Sequence, residues 1–439
     1  MTVRTVRRSA AALAVAATSA VFCVAASPAA PSPAPSAALP AGLYGTKDPT
    51  WDGVWRQSLA IIAQDTVHVV PSAEAVAWLA GQQCDNGGFA SYRPDATKPC
   101  DSKTMFDTNA TAAAVHALAA AGEHTDQVQK GIAWLKSVQS PDGGWSYNPG
   151  MASDANSTAI VIGAFAAAKE RPGDLTSEQG KTPYNALVSF AIPCADKTAG
   201  GAFAYQPDAK TGKLLPNGDA TAAAVLGGLG RGMVVQGPKP GKAPACVTTP
   251  RATPEQSARN GAAYLAKVLA KTGHLDSPPM PGATDPAPLP DFGNTADAVV
   301  ALSAAGHKDK AAASVAWLEK NASAWAKEAG PAAYAQLILA AHAYGADPRD
   351  FGGADLVQQL NATGPTPAST VPPSPAAQGD GKDKIGGDRG ALFWVVGAGL
   401  AAVLGAAFMI NDRRKNRKQA KQDQQAQQEA AAGRQDEQQ

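Results

Sequence analysis

A unit of two helices joined by a glycine-rich turn recurs along this chain, and it is clearest over Val128–Ala168. It opens with an amphipathic stretch in which Ile132 and Leu135 share one stripe. The turn Gly143-Gly144 follows, and then the uncharged run Ala159–Ala168. An amphipathic helix has one wet face, whereas a helix that is apolar all round is buried on every side. The unit therefore predicts an outer helix paired with an inner one.

Further copies of this unit predict an array. Outer helices are predicted at Ala73–Gln83, Tyr184–Phe190, Arg259–Leu269 and Ala313–Lys320, and inner helices are predicted to begin near Thr111, Thr158, Thr221, Thr295 and Tyr334. An unpaired inner-type helix over Trp51–Ala63 and an unpaired outer-type helix over Asp355–Asn361 would pair and close the array. Units of this length bury their apolar faces on their neighbours. We expect an all-α fold of about six helix pairs in two concentric layers.

The order of outer helix, Q-x-x-x-G-G-F/W turn and D/N-x-T-A inner helix resembles the repeat of the terpenoid cyclase and protein prenyltransferase superfamily (the prenyltransferase and squalene oxidase repeat). Gln139–Trp145 matches closely, Gln83–Phe89 nearly so, and the third copy lacks the Gln. The resemblance covers 51–362 and implies an α/α toroid. A fold hosts many chemistries, so it says little about activity. The toroid is also similar to the helical domain of the B12 carriers intrinsic factor and transcobalamin, which clasps cobalamin against a β domain; here a tether, and not a β domain, is predicted directly after the toroid.

Structural roles are expected for the recurring residues of the turns. The paired glycines are expected to supply positive φ angles, and the aromatic residues that follow them are expected to pack between repeats. The glycines are Gly87, Gly88, Gly143, Gly144, Gly200 and Gly201, and the aromatic residues are Phe89, Trp145 and Phe203.

The two ends of the chain predict export and anchoring. Residues 1–27 have a basic head and an apolar stretch, as in a secretory signal peptide. A Pro/Ala/Ser-rich linker over 28–50 leads into the toroid at 51–362, and a Pro/Gly-rich tether over 363–390 follows it. Residues 391–410 are uncharged and long enough for one transmembrane helix. The tail, 411–439, is basic and then Gln-rich, which predicts an extracellular toroid and a cytoplasmic C-terminus.

Charge and cysteine content narrow the function classes. Between residues 41 and 410 there are 28 Lys and Arg against 32 Asp and Glu, so nucleic acid is not an expected partner. Four cysteines follow the signal: Cys84, Cys100, Cys194 and Cys246. An even number in an exported chain predicts disulfides with three possible pairings. Locality favours Cys84–Cys100 and Cys194–Cys246, and the absence of C-x-x-C pairs argues against a zinc site.

The catalytic sets of the enzyme branches are missing from the sequence. There is no D-x-D-D cluster of the triterpene cyclases, no Asp-x-Cys pair on an inner helix for prenyltransferase zinc, and no Cys-Gly-Glu-Gln run of the thioester domains. His116 and His342 are single histidines in apolar helices, which are more often buried hydrogen-bonding residues than ligands. We expect no metal, no cofactor and no catalytic residue.

Polar residues recur where the inner helices begin. The candidate ligand-binding residues are Asp107, Asn109, Asp154, Asn156, Asp219, Asn294 and Asp297. They are open to two interpretations: helix capping, which explains one residue per helix, or a ring of side chains that contacts a polar ligand at the mouth where the helix N-termini converge.

Three functions remain open from the sequence. The first is a membrane-anchored, non-catalytic toroid that binds a small ligand and presents it to a membrane partner such as a transporter. Cobalamin is the leading candidate ligand through the carrier resemblance, with an oligosaccharide or a peptide behind it. The second is a terpene cyclase-like, prenyltransferase-like or carbohydrate-active enzyme, in which Asp107 and Asp154 would be the paired carboxylates. The third is a structural protein of the envelope.

Overall fold

The computed structural model describes residues 39–122, 124–237, 241–277 and 288–370. This region is predominantly helical, in agreement with the all-α prediction. The predicted signal peptide (1–27), transmembrane helix (391–410) and tail (411–439) lie outside the described residues. Within the described residues, no helix is both long and apolar enough to span a bilayer.

Twelve α-helices and two short antiparallel strand pairs make up the described region. The helices are α1 (Gly53–Thr66), α2 (Ala73–Gly81), α3 (Thr108–Ala121), α4 (Thr125–Ser137), α5 (Ala155–Ala167), α6 (Pro183–Ser189), α7 (Gly218–Gly228), α8 (Pro254–Thr272), α9 (Phe292–Ala304), α10 (Ala312–Ala329), α11 (Pro331–Tyr344) and α12 (Leu356–Asn361). The strands are β1 (Val69–Val70), β2 (Leu275–Ser277), β3 (Leu289–Asp291) and β4 (Ser369–Thr370), and β1 pairs with β4 and β2 with β3.

The odd-numbered helices contact one another in a closed cycle. Helix α1 packs against α3, α3 against α5, α5 against α7, α7 against α9, α9 against α11, and α11 against α1. Their residues are buried almost all round, as the uncharged sequences of these helices predict. The even-numbered helices α2, α4, α6, α8 and α10 each pack on the two odd-numbered helices that flank them in sequence, and they bury one side only. We call the two sets the inner and the outer helices.

Helices α3, α5, α7 and α9 each begin three residues before the threonine near which we predicted the helix start. Helix α5, for example, begins at Ala155 rather than near Thr158. The reason is that Asp154 accepts the backbone N–H of Ser157 and so caps the helix. An N-cap carboxylate lies outside the first helical turn, so the helix starts directly after it.

Only one glycine of each pair has a positive φ angle. Gly87, Gly143 and Gly201 have φ near 91° to 92°. A β-carbon on Gly143 would lie 2.3 Å from the carbonyl oxygen of Thr182, at the start of α6. Gly144 has no such backbone angle, but a β-carbon added to it would lie 2.8 Å from the hydroxyl oxygen of Thr158 and 2.9 Å from the β-carbon of Ala186. The turns therefore need glycine for conformation at one position and for close packing at the other.

The two ends of the helical array meet. The side chain Nε2 of Gln64 in α1 donates to Oδ1 of Asn361 in α12 over 2.7 Å. Tyr44 is fully buried, and its hydroxyl donates to Gln64. Tyr44 belongs to the stretch that we assigned to the linker, and β4 belongs to the stretch that we assigned to the tether, so both flanks take part in the fold.

Two disulfides are present, Cys84–Cys100 and Cys194–Cys246, and both predicted pairings are confirmed. Each pair has a Cα–Cα distance of 5.7 Å. Disulfides persist in oxidising compartments, which indicates an extracellular or secreted protein.

Candidate ligand site at the start of the inner helices

Four inner helices begin with the same polar pattern, and its first member is the cap. The side chains of Asp107, Asp154, Asn217 and Asp291 accept the backbone N–H of the residue three positions on, at 2.7 to 3.0 Å. These four residues satisfy N–H groups that a helix terminus would otherwise leave unpaired. Asp107 and Asp154 were predicted site residues, and the structure assigns both of them a structural role.

The threonine four residues after each cap ties the helix to the turn of its own repeat. The hydroxyl oxygens of Thr111, Thr158 and Thr221 accept the backbone N–H of Phe89, Trp145 and Phe203, respectively, at 2.9 to 3.1 Å. Thr295 accepts the N–H of Leu275 in the same way. The three aromatic residues are fully buried. The cap and the threonine are thus both used by the fold.

The polar side chains at the second position of three inner helices do not cap their helices. They are Asn109 in α3, Asn156 in α5 and Asp219 in α7. All three side chains are at least nine-tenths buried, and one oxygen of each, Oδ1, has no hydrogen-bond partner. A buried oxygen without a partner costs on the order of 1–3 kcal/mol. Three such atoms at one equivalent position of consecutive helices therefore require an explanation.

Two of these residues are in direct contact. The amide Nδ2 of Asn156 donates to Oδ2 of Asp219 over 2.6 Å. Burial raises the pKa of Asp219 to about 7, and the nearby carboxylates of Asp291 and Asp154 act in the same direction. The structure thus brings together residues from α5, α7 and α9 that are far apart in sequence.

Asp297 lies one turn deeper in α9 and is fully buried. Its Oδ2 accepts a hydrogen bond of 2.9 Å from the amide Nε2 of Gln336 in α11. Burial raises its pKa well above the usual value for an aspartate, and the charges of Asp219 and Asp291 raise it further. The pKa of Asp297 therefore depends on the charge of Asp219. Asn294 has a different role from Asp297. Its backbone N–H and its side-chain amide both donate to the cap Asp291.

The two capping aspartates have further partners, which include one tyrosine each from the next repeat. Asp107 accepts hydrogen bonds from the hydroxyls of Ser91 and Tyr147, and Asp154 accepts one from Tyr205. Burial raises the pKa of Asp154 to about 6 and raises the pKa of Asp107 as well. Because their oxygens are already engaged, these carboxylates are poorer ligand contacts than Asp219.

Sequence reasoning missed Asn217, Asp291 and Gln336. The first two had a recognisable signal, since a D/N-x-x-x-T spacing links every capping residue to its threonine, as in Asn217 and Thr221. Gln336 had none, because nothing in the sequence of α11 indicates that it meets Asp297.

His116 is buried in α3 without a partner for its ring atom Nδ1, and burial lowers its pKa to about 4. It is therefore a neutral imidazole at physiological pH. In the part of the chain that the structure describes, no group of three or more His, Cys, Asp or Glu side chains is arranged to hold a metal ion.

Exposed apolar side chains surround the same end of the helices. Five inner helices each have an exposed apolar residue one to three positions before the cap. We call these five residues the rim: Trp51, Met105, Met151, Leu215 and Leu289. Their exposed fractions range from 45% to 66%. Single exposed apolar residues are ordinary, but a recurring set at one end of an array is typical of an interaction surface.

A surface cleft of about 430 Å³ opens beside two rim residues. Its lining includes Trp51 and Met105 together with Tyr92, Arg93 and Tyr147. Such a volume and such a mixture of aromatic and polar groups suit a small ligand. Through Tyr147 the cleft adjoins the cap Asp107.

Comparison of the chain with protein-family models and with curated protein sequences finds no match.

Proposed function

We propose that this protein is an exported, non-catalytic α/α toroid that captures a small ligand at the end of the ring where the inner helices begin. The observation that carries the proposal is the unpaired Oδ1 atom on Asn109, Asn156 and Asp219. The toroid and its relation to the terpenoid cyclase and protein prenyltransferase superfamily are supported by the repeat motif and by the closed cycle of inner-helix contacts.

The energetics favour a binding role over a structural one. The cap and the threonine of each repeat stabilise the fold, whereas a buried oxygen without a partner at the second position destabilises it. An apolar residue of similar size at that position would cost less. Sites that lower stability in this way are typical of function, because a ligand supplies the missing hydrogen bonds.

The rim gives the ligand a second type of contact. Its apolar side chains precede the same helix starts in sequence, so a ligand that uses both would place polar groups at the oxygens and its apolar remainder on the rim. Cobalamin remains the first ligand to test, through the resemblance to its carriers, and an oligosaccharide or a peptide comes next.

The proposed location is the outer face of the membrane. The two disulfides support an extracellular domain, and the apolar stretch 391–410, followed by basic residues, supports a single membrane span with the C-terminus in the cytoplasm. In this arrangement the domain would present its ligand to a membrane partner such as a transporter. External protease on wall-stripped cells should release the domain, and full protection would contradict this topology.

One observation favours the enzyme alternative. Asp219 and Asp297 are buried carboxyl groups with raised pKa values, and buried acids of this type occur at catalytic sites. Turnover of a polyprenyl substrate or an oligosaccharide by the purified protein would decide for that alternative.

Calorimetric titration of the purified full-length protein with cobalamins, oligosaccharides and peptides tests the proposal. For the ligand that binds, Asn156→Leu should lower the affinity by about tenfold or more, because the Asn156 oxygen can no longer accept a hydrogen bond. The matched control is Asn217→Ala, which removes the cap of α7 without removing a charge. It should lower stability and leave the affinity within about threefold, since a cap contributes chiefly to folding. A ligand with the same affinity for Asn156→Leu as for the wild type binds elsewhere. The absence of any binding would contradict the proposal.

A further inference from the structure

We infer that the cleft beside Trp51 binds a neutral oligosaccharide whose ring substituents are equatorial. The cleft is lined by the turn before α1, by the loop between α2 and α3, and by the segment between α4 and α5. Asn109, Asn156 and Asp219 are not among its lining residues. The site is therefore separate from the buried oxygens of the proposed function, and the inference goes beyond that function.

Aromatic side chains form an apolar wall of the cleft. Trp51 is the most exposed tryptophan of the described residues, at 45%, and Tyr92 and Tyr147 line the same cleft. The face of an aromatic ring carries partial negative charge, which attracts polarised C–H groups. A pyranose ring with equatorial substituents presents such C–H groups on both of its faces. Flat sugar rings therefore suit this wall.

The two tyrosines of the cleft are held in place by neighbouring groups. Tyr92 stacks on Trp78 with ring centroids 6.4 Å apart, and a β-carbon added to Gly53 would lie 3.2 Å from a ring carbon of Tyr92. The hydroxyl of Tyr147 donates to the capping carboxylate of Asp107. Side chains that are ordered before binding lose less conformational entropy when a ligand arrives. The wall is thus preorganised for a ligand.

The charged groups of the cleft are largely occupied by the loop between α2 and α3 itself. Asp95 pairs with Lys98 over 3.1 Å, and the guanidinium of Arg93 donates to five backbone carbonyl groups. Asp101 accepts the backbone N–H of Lys103. A charged ligand would have to break these contacts or rely on the exposed side chain of Lys103, and a single exposed ion pair contributes little. These contacts favour an uncharged ligand.

Neutral polar side chains complete the lining, among them Thr50, Thr104 and Asn148. A hydroxyl group both donates and accepts hydrogen bonds, and so does an amide side chain, which matches the hydroxyls around the edge of a sugar ring. The cleft volume of about 430 Å³ lies within the range of small-ligand sites. An oligosaccharide can lay its C–H faces on the aromatic wall and direct its hydroxyls to these polar groups.

Calorimetric titration of the purified full-length protein tests the inference with four probes. Cellopentaose and chitopentaose are neutral and carry equatorial substituents, pentagalacturonate is anionic, and decaproline is a peptide that could also use an aromatic cleft. We expect at least one of the two neutral sugars to bind with a dissociation constant of about 1 mM or lower. Binding of neither neutral sugar would overturn the inference, and so would tighter binding of pentagalacturonate or of decaproline than of both.

Variants locate the binding of the neutral sugar. Trp51→Ala should lower its affinity by about tenfold or more, because the exposed ring supplies the stacking surface, whereas Trp51→Phe should retain most of it. Met151→Ala is the matched control, since Met151 is a rim residue with 63% exposure that does not line the cleft. It should leave the affinity within about twofold. An equal loss in Met151→Ala would mean that the sugar responds to exposed apolar surface in general and would overturn the inference.

Tryptophan fluorescence supplies a second readout. The bound sugar should shield Trp51 from quenching by acrylamide, and this protection should be absent in Trp51→Phe. Protection of equal size in Trp51→Phe would place the sugar at another tryptophan and would overturn the inference.

The variant Asn156→Leu separates this inference from the proposed function. It should leave the affinity for the neutral sugar unchanged within about twofold, because Asn156 does not line the cleft. If the sugar is sensitive to Asn156→Leu and insensitive to Trp51→Ala, it occupies the site of the proposed function, and the inference about the cleft alone is wrong. If another ligand binds in a manner sensitive to Asn156→Leu while neither neutral sugar binds, the proposed function stands and the cleft inference fails.

Discussion

The side chains of Asn156 and Asp219 are 63 residues apart in sequence and joined by a hydrogen bond of 2.6 Å. The bond connects the second position of α5 to the second position of α7, and it leaves one oxygen of each residue without a partner. The same position in α3 holds Asn109, whose oxygen is also unpaired. This relationship separates residues that cap the helices from residues that keep an unpaired oxygen.

Two substitutions at the start of α3, one at the cap and one at the unpaired oxygen, should differ in their effect on stability. Asp107→Ala removes a cap and leaves the hydroxyls of Ser91 and Tyr147 without their acceptor, so we expect a loss of about 1–3 kcal/mol in the free energy of unfolding. Asn109→Leu removes an unpaired oxygen and should change stability by less than about 0.5 kcal/mol or increase it. Urea unfolding measures both. A loss of more than about 1 kcal/mol for Asn109→Leu would mean that the fold uses this side chain.

The stability of the domain should depend on pH through Asp219. Its pKa is raised to about 7 in the folded state, against about 3.9 for an unfolded aspartate, so the folded state holds the proton more tightly. This contribution is fully present below about pH 4 and is lost as pH rises through 7. Asp154, Asp297 and Asp107 act in the same direction. The lowered pKa of His116 acts in the opposite direction, because stability is then lost as pH falls from about 6.5 towards 4.

Comparison with Asp219→Asn isolates this contribution. Unfolding free energies of both proteins between pH 4.5 and 8 should show that the wild type loses stability relative to the variant as pH rises. Parallel curves would show that Asp219 has an ordinary pKa.

The turn glycine Gly143 should tolerate no side chain. Its φ angle is 92°, and an added β-carbon would lie 2.3 Å from the carbonyl oxygen of Thr182. Gly143→Ala should therefore combine backbone strain with a steric clash and cost roughly 2–5 kcal/mol. Gly150 is the matched control, since its φ is 87° and nothing lies within 4 Å of its added β-carbon. Gly150→Ala should cost about 1 kcal/mol. Equal losses in urea unfolding would mean that strain alone matters.

The two disulfides should stabilise the domain to different extents. Cys84–Cys100 closes a loop with a sequence separation of 16, and Cys194–Cys246 one of 52. In the chain-entropy account the longer loop restricts the unfolded chain more, which gives about 3 kcal/mol for the first bridge and about 4 kcal/mol for the second. Unfolding of the two double Cys→Ser variants measures both. The reverse order would show that strain or residual structure outweighs loop entropy, and free thiols in peptide mapping of the wild type would contradict the pairing itself.

Much of the fold was predictable because it is local. The amphipathic stripe in Val128–Val138 and the uncharged run in Ala159–Ala168 predict an outer and an inner helix from periodicity alone. We predicted that the inner helices begin near the threonines. The threonines occupy the fourth helical position, because each helix begins directly after its cap. The disulfide pairing was also predictable, because each bridge joins two cysteines that follow one another in the sequence.

The sequence by itself thus determined which segments are helices, which of them are buried, and that polar residues gather at the inner-helix starts. Only the tertiary structure decided which of those polar residues are already used. Asp154 caps its own helix through a bond three residues away, but Asn156 meets Asp219 and Asp297 meets Gln336 across different repeats. Local bonds follow from spacing in the chain. Contacts between repeats, and the burial that raises the pKa of Asp219, arise only when the helices pack side by side.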